Sequence, residues 1–449
     1  MMNWKPYLAA WLVLLAGLVT RPGEVAAENV ADRYRRAESL LESDPEESFE
    51  IAGRLRPFDH ADDLRLELLA EAALRSGHPG PAKRHLEALR DQTPSESVRF
   101  WAGLSLAELA MLGSQVDEAR RLIDQLDDDA DELDVRPPEE RYLRSRLVRL
   151  EHDLALADGD RGSAAEHARE LRIRYPATQA AKGEGLTPGE PLDDADRYVM
   201  AKRLYESWSY QRARRMFEKL RDHPRYGDNA HWYLGHIALN KLRDRPKQAE
   251  KLFGALADGS AYAAEALYNK ARARMTQERY DDALETLDTY AERYPGGRRI
   301  ESVYYYRGWL PYDHRNNHRA IDGFEAYIDR YGKGSSRSSY VYGFLAWTYM
   351  RLGEWRKAIE VYDEMESFGN MLVWGKALYW QAHAYREMEK PDEALAKLDT
   401  LRETYPVTYY GVLGEQLRAE INGEDPSASE IWWPEDGGAT EDEPRMNVA

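Results

Sequence analysis

The chain has 449 residues, 43% of them hydrophobic and 32% charged, with 62 Lys and Arg against 80 Asp and Glu, a formal net charge of −18, and no cysteine. That balance suits a folded, well-solvated protein and excludes a duplex nucleic-acid partner, which needs clustered cations to displace counterions, as well as an anionic membrane surface. Without thiols there are no disulfides, and no lipid attachment through a cysteine is expected.

In chain order, the first element is a short start with Lys5, followed by an apolar run from Leu8 to Val19 and by Val25-Ala26-Ala27 ahead of Glu28. The apolar run is too short to cross a bilayer comfortably, and small residues stand where a signal peptidase would cut. Residues 1–27 are therefore expected to be a signal peptide cleaved after Ala27. The mature protein is expected in the periplasm, with no direct membrane anchor after cleavage.

Beyond this an alanine keeps returning, with large apolar residues four and seven positions later. The pattern reads Ala213/Phe217/Leu220, Ala249/Phe253/Leu256, Ala283/Leu287/Tyr290, Ala320/Phe324/Tyr327, Ala358/Tyr362/Met365 and Ala394/Leu398/Leu401, in steps of 36, 34, 37, 38 and 36 residues. A small residue stands twelve positions before the anchor at Ala70, Ala107, Ala201, Ala271, Gly308, Ala346 and Ala382. Proline often follows the anchor by twelve, as in Ala82/Pro94, Ala164/Pro176, Ala283/Pro295 and Ala394/Pro406. Proline lacks an amide donor and ends the helix there. Two helices and two turns consume about 34 residues, and such a unit buries its apolar face only against a neighbour. The expected fold is all-α, a right-handed superhelical solenoid of helical hairpins.

Irregular positions carry their own expectations. Counting back from Ala249 puts Ile237 where a small residue belongs, so that hairpin should have a two-residue longer turn with Gly235 in the small role. Pro311 should interrupt the helix that contains Gly308. The steps from Ala119 to Ala164 and on to Ala213 are 45 and 49 residues, which predicts two insertions. Asp124, Asp127, Asp128, Asp129, Asp131, Glu132 and Asp134 precede Pro137-Pro138 and read as a solvated loop rather than a calcium site, since an EF-hand glycine is missing. Gly183, Gly185, Pro188, Gly189 and Pro191 mark a linker over 182–193 between N-terminal repeats at 28–181 and a more regular array at 194–422. Residues 423–449 form an acidic tail with Trp432-Trp433 and are expected to be disordered.

Aromatic residues crowd the C-terminal half. Tyr304, Tyr305 and Tyr306 are consecutive, and helical neighbours point about 100° apart, so they cannot all enter the core. Exposed rings on a helical surface anchor peptides or stack on sugars. Tyr305 and Trp309, four apart on one face, and Tyr379 with Trp380 are the candidate binding residues. No metalloprotease, nucleophile-elbow or phosphate-loop motif is present, so no catalytic residue, cofactor or metal is expected. His314 and His318 are four apart but flanked by Pro311, Asn316 and Asn317, which favours solvated turn histidines over a metal pair.

The small residue, the anchor alanine twelve on, the large residue four further and the closing proline resemble the tetratricopeptide repeat family over roughly residues 60–421. Ala377 to Tyr385, Pro391 to Ala394 and Tyr405-Pro-Val-Thr-Tyr409-Tyr410-Gly411-Val-Leu413 are similar to the last hairpins of the superhelical domain of soluble lytic transglycosylases. That family's catalytic domain has no counterpart here, so only the setting near peptidoglycan is implied. Glu301-Ser-Val-Tyr304-Tyr-Tyr306-Arg-Gly308 with Phe324, Tyr327, Arg330 and Tyr331 resembles the repeats of outer-membrane assembly lipoproteins. The resemblances imply a non-enzymatic envelope scaffold holding a protein or peptide partner. The alternative they leave open is a peptidoglycan-binding accessory.

Overall fold

The computed structural model describes residues 24–56, 62–130, 133 and 137–424. The apolar core of the export signal and Trp432-Trp433 lie outside the described residues. The first helix, α1, starts at Glu24, so cleavage after Ala27 would remove its opening turn.

The described residues form helical hairpins in sequence. The first compact unit, residues 1–222, pairs α1 (Glu24–Leu40) with α2 (Pro45–Gly53), α3 (Asp62–Arg75) with α4 (Pro79–Gln92), and α5 (Glu96–Leu112) with α6 (Val116–Ala130). It continues with α7 (Pro137–Ala157) and α8 (Arg161–Arg174), then α9 (Asp194–Glu206) and α10 (Tyr210–Glu218). The second unit, residues 223–449, pairs α11 (Gly227–His236) with α12 (Pro246–Leu256), α13 (Ala263–Met275) with α14 (Tyr280–Arg293), and α15 (Ile300–Asp313) with α16 (Asn317–Tyr331). It ends with α17 (Ser338–Arg351) and α18 (Trp355–Met365), α19 (Met371–Glu387) and α20 (Pro391–Thr404), and α21 (Tyr409–Asn422). The all-α hairpin order is the expected one.

The anchor alanines occupy the helix crossings. Ala213, Ala249, Ala283, Ala320, Ala358 and Ala394 are all 0% exposed, as are Phe217, Phe253, Leu287, Phe324 and Tyr362 four residues on. The small position works because the ring lies directly over it. A Cβ added to Gly235 would stand 2.7 Å from Cζ of Phe253, and one added to Gly308 would overlap Phe324. The same register starts earlier than the expected residue 60. Ser48 is fully buried on α2, donates its hydroxyl to Ala37 O at 2.7 Å, and is followed by buried Ala52 and Leu55. Ser48 lies 34 residues before Ala82, so α1 and α2 form a repeat whose anchor is serine.

A second periodicity sits in the turns. Gly77, Ser114, Gly159, Trp208, Glu278, Arg315, Gly353 and Glu389 all have φ between 58° and 76° and stand five residues before an anchor alanine. The left-handed turn is set by how the two helices dock, and at five of these positions a residue with a Cβ accepts the strain.

Four expectations are corrected. The extra length before Ala249 is held partly within the helix: Ile237–Lys241 forms a π-helical turn, which takes up an additional residue while Gly235 stays under Phe253. Pro311 does not interrupt α15, which runs on to Asp313. The carbonyl it leaves without a helical donor, Arg307 O, is where Gly323 of α16 packs, since a Cβ there would come within 2.5 Å of that oxygen. The acidic run is not wholly a loop, because α6 carries Asp124, Asp127, Asp128 and Asp129 in its last turns. The breaker-rich stretch 182–193 lies inside the first unit, where Arg149 of α7 donates to Glu184 O at 2.9 Å and His152 Nε2 meets Thr187 Oγ1 at 3.1 Å. The boundary between units falls at 222/223.

Candidate interaction face

In the second unit α15 touches α17, α17 touches α19, and α19 touches α21, so the first helices of successive hairpins make a continuous layer. A side-chain ladder runs along it. The residue just before each first helix lies over a ring of the first helix before it.

Tyr262, at the start of α13, stacks on Trp232 with ring centroids 4.8 Å apart and donates its hydroxyl to Asn229 Oδ1 at 2.7 Å. One hairpin on, the Arg299 guanidinium stands 5.4 Å from the Tyr268 ring centroid, and its Nε donates to Glu265 at 2.8 Å. At the next, Arg337 stands 5.6 Å from the Tyr305 centroid and donates to Ser302 Oγ at 3.2 Å. Cation over ring and polar residue three before the ring repeat as a unit. Such contacts are worth about 0.5–1 kcal/mol each at exposed sites and tie hairpin to hairpin.

The ladder then stops. Gly343 stands where the next ring would be, and Asn370 ahead of α19 turns back to cap its own helix, accepting from Leu372 N at 3.0 Å. A Cβ on Gly343 would lie 3.3 Å from Nζ of Lys376. Lys376 is half-buried, has no ion-pair partner among the described residues, and is held below the usual lysine range by desolvation. One turn before Gly343, Tyr340 is 66% exposed.

Past the gap the rings resume. Trp347 meets Trp380 edge-on at 4.4 Å, Trp380 meets His383 at 5.3 Å, and Tyr379 lies 5.7 Å from Tyr410. Burial and then Arg386 lower the pKa of His383, while burial raises that of Tyr379.

The four residues singled out in the sequence, Tyr305, Trp309, Tyr379 and Trp380, are thus all half-buried rather than freely exposed. They form two groups, on α15 and α19, with α17 between them. Trp309 packs against the core on both sides of its hairpin, and Tyr305 has one face under Arg337. Gly343, Lys376 and Tyr340 were not found from the sequence. A signal was available: Trp232, Tyr268 and Tyr305 recur at 36 and 37 residues, and the next step lands on Gly343. His314 packs on the Tyr280 ring at 3.7 Å and its Nδ1 lies 3.0 Å from Leu310 O, as a turn residue and not a ligand. Among the described residues no group of three or more His, Asp or Glu is placed to hold a metal, and no helix is long and apolar enough to cross a membrane.

These features define the class: the chain is a tetratricopeptide-type helical-repeat protein, an architecture that serves as a protein-interaction scaffold. Residues 260–421 match the family model described as YfiO, outer membrane lipoprotein. No curated protein matches the chain. Among solved structures, that of MamA protein is similar at 19% identity and a TM-score of 0.33, covering 39% of this chain and 91% of its own. The P58(IPK) TPR domain is similar at 12% identity and a TM-score of 0.25, covering 88% of this chain and 98% of its own.

Proposed function

We propose that the protein is an exported, non-enzymatic scaffold of the bacterial cell envelope that holds a protein or peptide segment on the first-helix layer of its second unit. The observation that carries this is the break in the ladder at Gly343, where a missing side chain, an unpaired lysine and the exposed Tyr340 interrupt an otherwise self-satisfied face. The family match supports the setting, since it spans the same hairpins and names an outer-membrane family. A segment entering the gap would set its backbone against Gly343, an acidic or carboxylate group at Lys376, and an apolar side chain between Tyr340 and Trp347. Tyr305 and Trp309 on one side and Tyr379 and Trp380 on the other then bound the site.

Site-specific photocrosslinking from Tyr340 in living cells tests this. The expected result is a discrete adduct with an envelope protein that is lost in Lys376→Glu while the melting temperature is unchanged. Adducts only with peptidoglycan, together with retention on isolated sacculi, would replace this reading with the glycan-binding one. Mass spectrometry of the exported protein should show Glu28 as its first residue.

A further inference from the structure

A second feature lies on other faces of α12 and α13. Residues 270, 274 and 277 of α13 share a stripe at i, i+4 and i+7, pointing away from the ladder stripe of 265, 268 and 272. Between this stripe and α12 is a groove of about 580 Å³, lined by Lys247, Lys251, Lys270, Arg274 and Arg279 with a single carboxylate, Glu250. In a chain of net charge −18 this local balance is inverted.

The guanidinium groups are already engaged: Arg274 and Arg279 both bind Glu250, at 2.8 and 2.7 Å, and Arg279 also binds Asp282. The three lysines are not. Elsewhere Lys333, Lys357, Lys390 and Lys397 pair with carboxylates, but Lys247, Lys251 and Lys270 have no such partner among the described residues. Three uncompensated ammonium groups therefore face one cleft, whose wall at Gly254 has no side chain beyond Cα.

The spacing selects the ligand. Lys247 and Lys251 are one helical turn apart on one wall, and Lys270 and Arg274 are one turn apart on the other. Four residues of helix rise about 6 Å. Alternate residues of an extended chain are about 6.6 Å apart and point the same way. A row of cations at that interval matches carboxylates at every second position of an extended strand, and Gly254 leaves room for the strand's backbone.

We propose that this groove binds an extended acidic peptide with Asp or Glu at alternate positions. The site is separate from the first-helix layer and does not depend on what that layer holds.

The test uses the full chain and a fluorescein-labelled Gly/Glu heptapeptide with three glutamates at alternate positions, against a control peptide with its three glutamates adjacent. The alternating peptide should bind more tightly than the control, and its affinity should fall as salt rises. It should weaken roughly a hundredfold in the K247Q/K251Q/K270Q variant, from three lost charge contacts of about 1 kcal/mol each. As a readout independent of the variant, the peptide should protect Lys247, Lys251 and Lys270 of the unaltered protein from amine acetylation. Equal affinity for the two peptides, no protection of the lysines, or tighter binding of inorganic triphosphate than of the peptide would each overturn the proposal.

Discussion

The two units solve the same packing problem with different side chains. In the second, the positions four and seven after the anchor include Phe253, Tyr290, Phe324, Tyr327 and Tyr362, all 0% exposed. In the first they are Leu86 and Leu89, Ile123 and Leu126, Ala168 and Leu171. Rings fill more of the inter-hairpin space and bring polar handles with them. Tyr290 Oη accepts from Arg299 N at 3.1 Å, and Tyr327 Oη donates to Glu301 at 3.0 Å, so each ring pins the start of the next hairpin. Steps between anchors in this unit accordingly stay between 34 and 38 residues. The first unit lacks such pins and accommodates steps of 45 and 49, with the stretch 175–193 docked on α7 through Arg149 and His152. Regular spacing therefore follows from the size and reach of the residues at two positions, not from the anchor alanine alone.

The largest expected effect tests that difference directly. Phe324→Ala should lower stability by about 3–5 kcal/mol, because it empties the space over Gly308 and between α15 and α17. Leu171→Ala in the first unit should cost less, about 2–3 kcal/mol. Thermal unfolding of both variants decides it; equal losses would mean that the rings do not distinguish the units. Overpacking at an anchor should come next. Ala283→Leu, at a fully buried crossing, is expected to cost ~1–3 kcal/mol, and an unchanged melting curve would contradict the register.

The units should also respond oppositely to pH. In the first, burial, then Glu71 and Asp63, push Glu67 up to about 7, and burial with Asp127 does the same for Glu151. A raised carboxyl favours the protonated folded state, so this stability is fully present below about 4.5 and is lost as pH rises toward 7. In the second unit, burial followed by Arg272 lowers His236 to about 4. Its contribution is present above about 6.5 and is lost as pH falls through 4. Hydrogen exchange, corrected for intrinsic rates, should show α3 and α7 better protected at pH 5 than at pH 8, and α11 the reverse. The double variant Glu67→Gln/Glu151→Gln should flatten the first trend, an effect on the order of 1–2 kcal/mol after solvent screening.

The smallest effect concerns the left-handed turns. Arg315→Gly should raise stability by about 0.5–1 kcal/mol by removing a Cβ from a φ of 58°. Gly353→Ala, at the equivalent turn, should lower it by a similar amount. A destabilised Arg315→Gly would mean that the arginine side chain matters there more than its backbone.

Much of this architecture was legible in the residues. A period near 36 with alanine at its centre admits few alternatives, since only a small side chain fits where two helices cross and only a large one fills the next layer, so class, hairpin order and anchors could be read directly. Ser48 escaped that reading because its hydroxyl disguises an alanine-sized residue, satisfied by Ala37 O. The left-handed turns escaped because glycine marks only Gly77, Gly159 and Gly353 among them, the rest being imposed by docking. Pro311 and the π turn at Ile237–Lys241 could not be decided locally, since whether a helix survives a missing donor or an extra residue depends on the neighbour packed against it, here Gly323 and Phe253. The face itself was half legible. Tyr305, Trp309, Tyr379 and Trp380 could be picked out as rings on first helices, but their degree of exposure is set by Arg337, Trp347 and Tyr410, which come from other hairpins 31 to 33 residues away. Contacts within a turn are written into the local pattern; contacts between hairpins exist only once the stack has formed. The gap at Gly343 is the clearest case, because an absent side chain becomes a site only when its neighbours on both sides are in place.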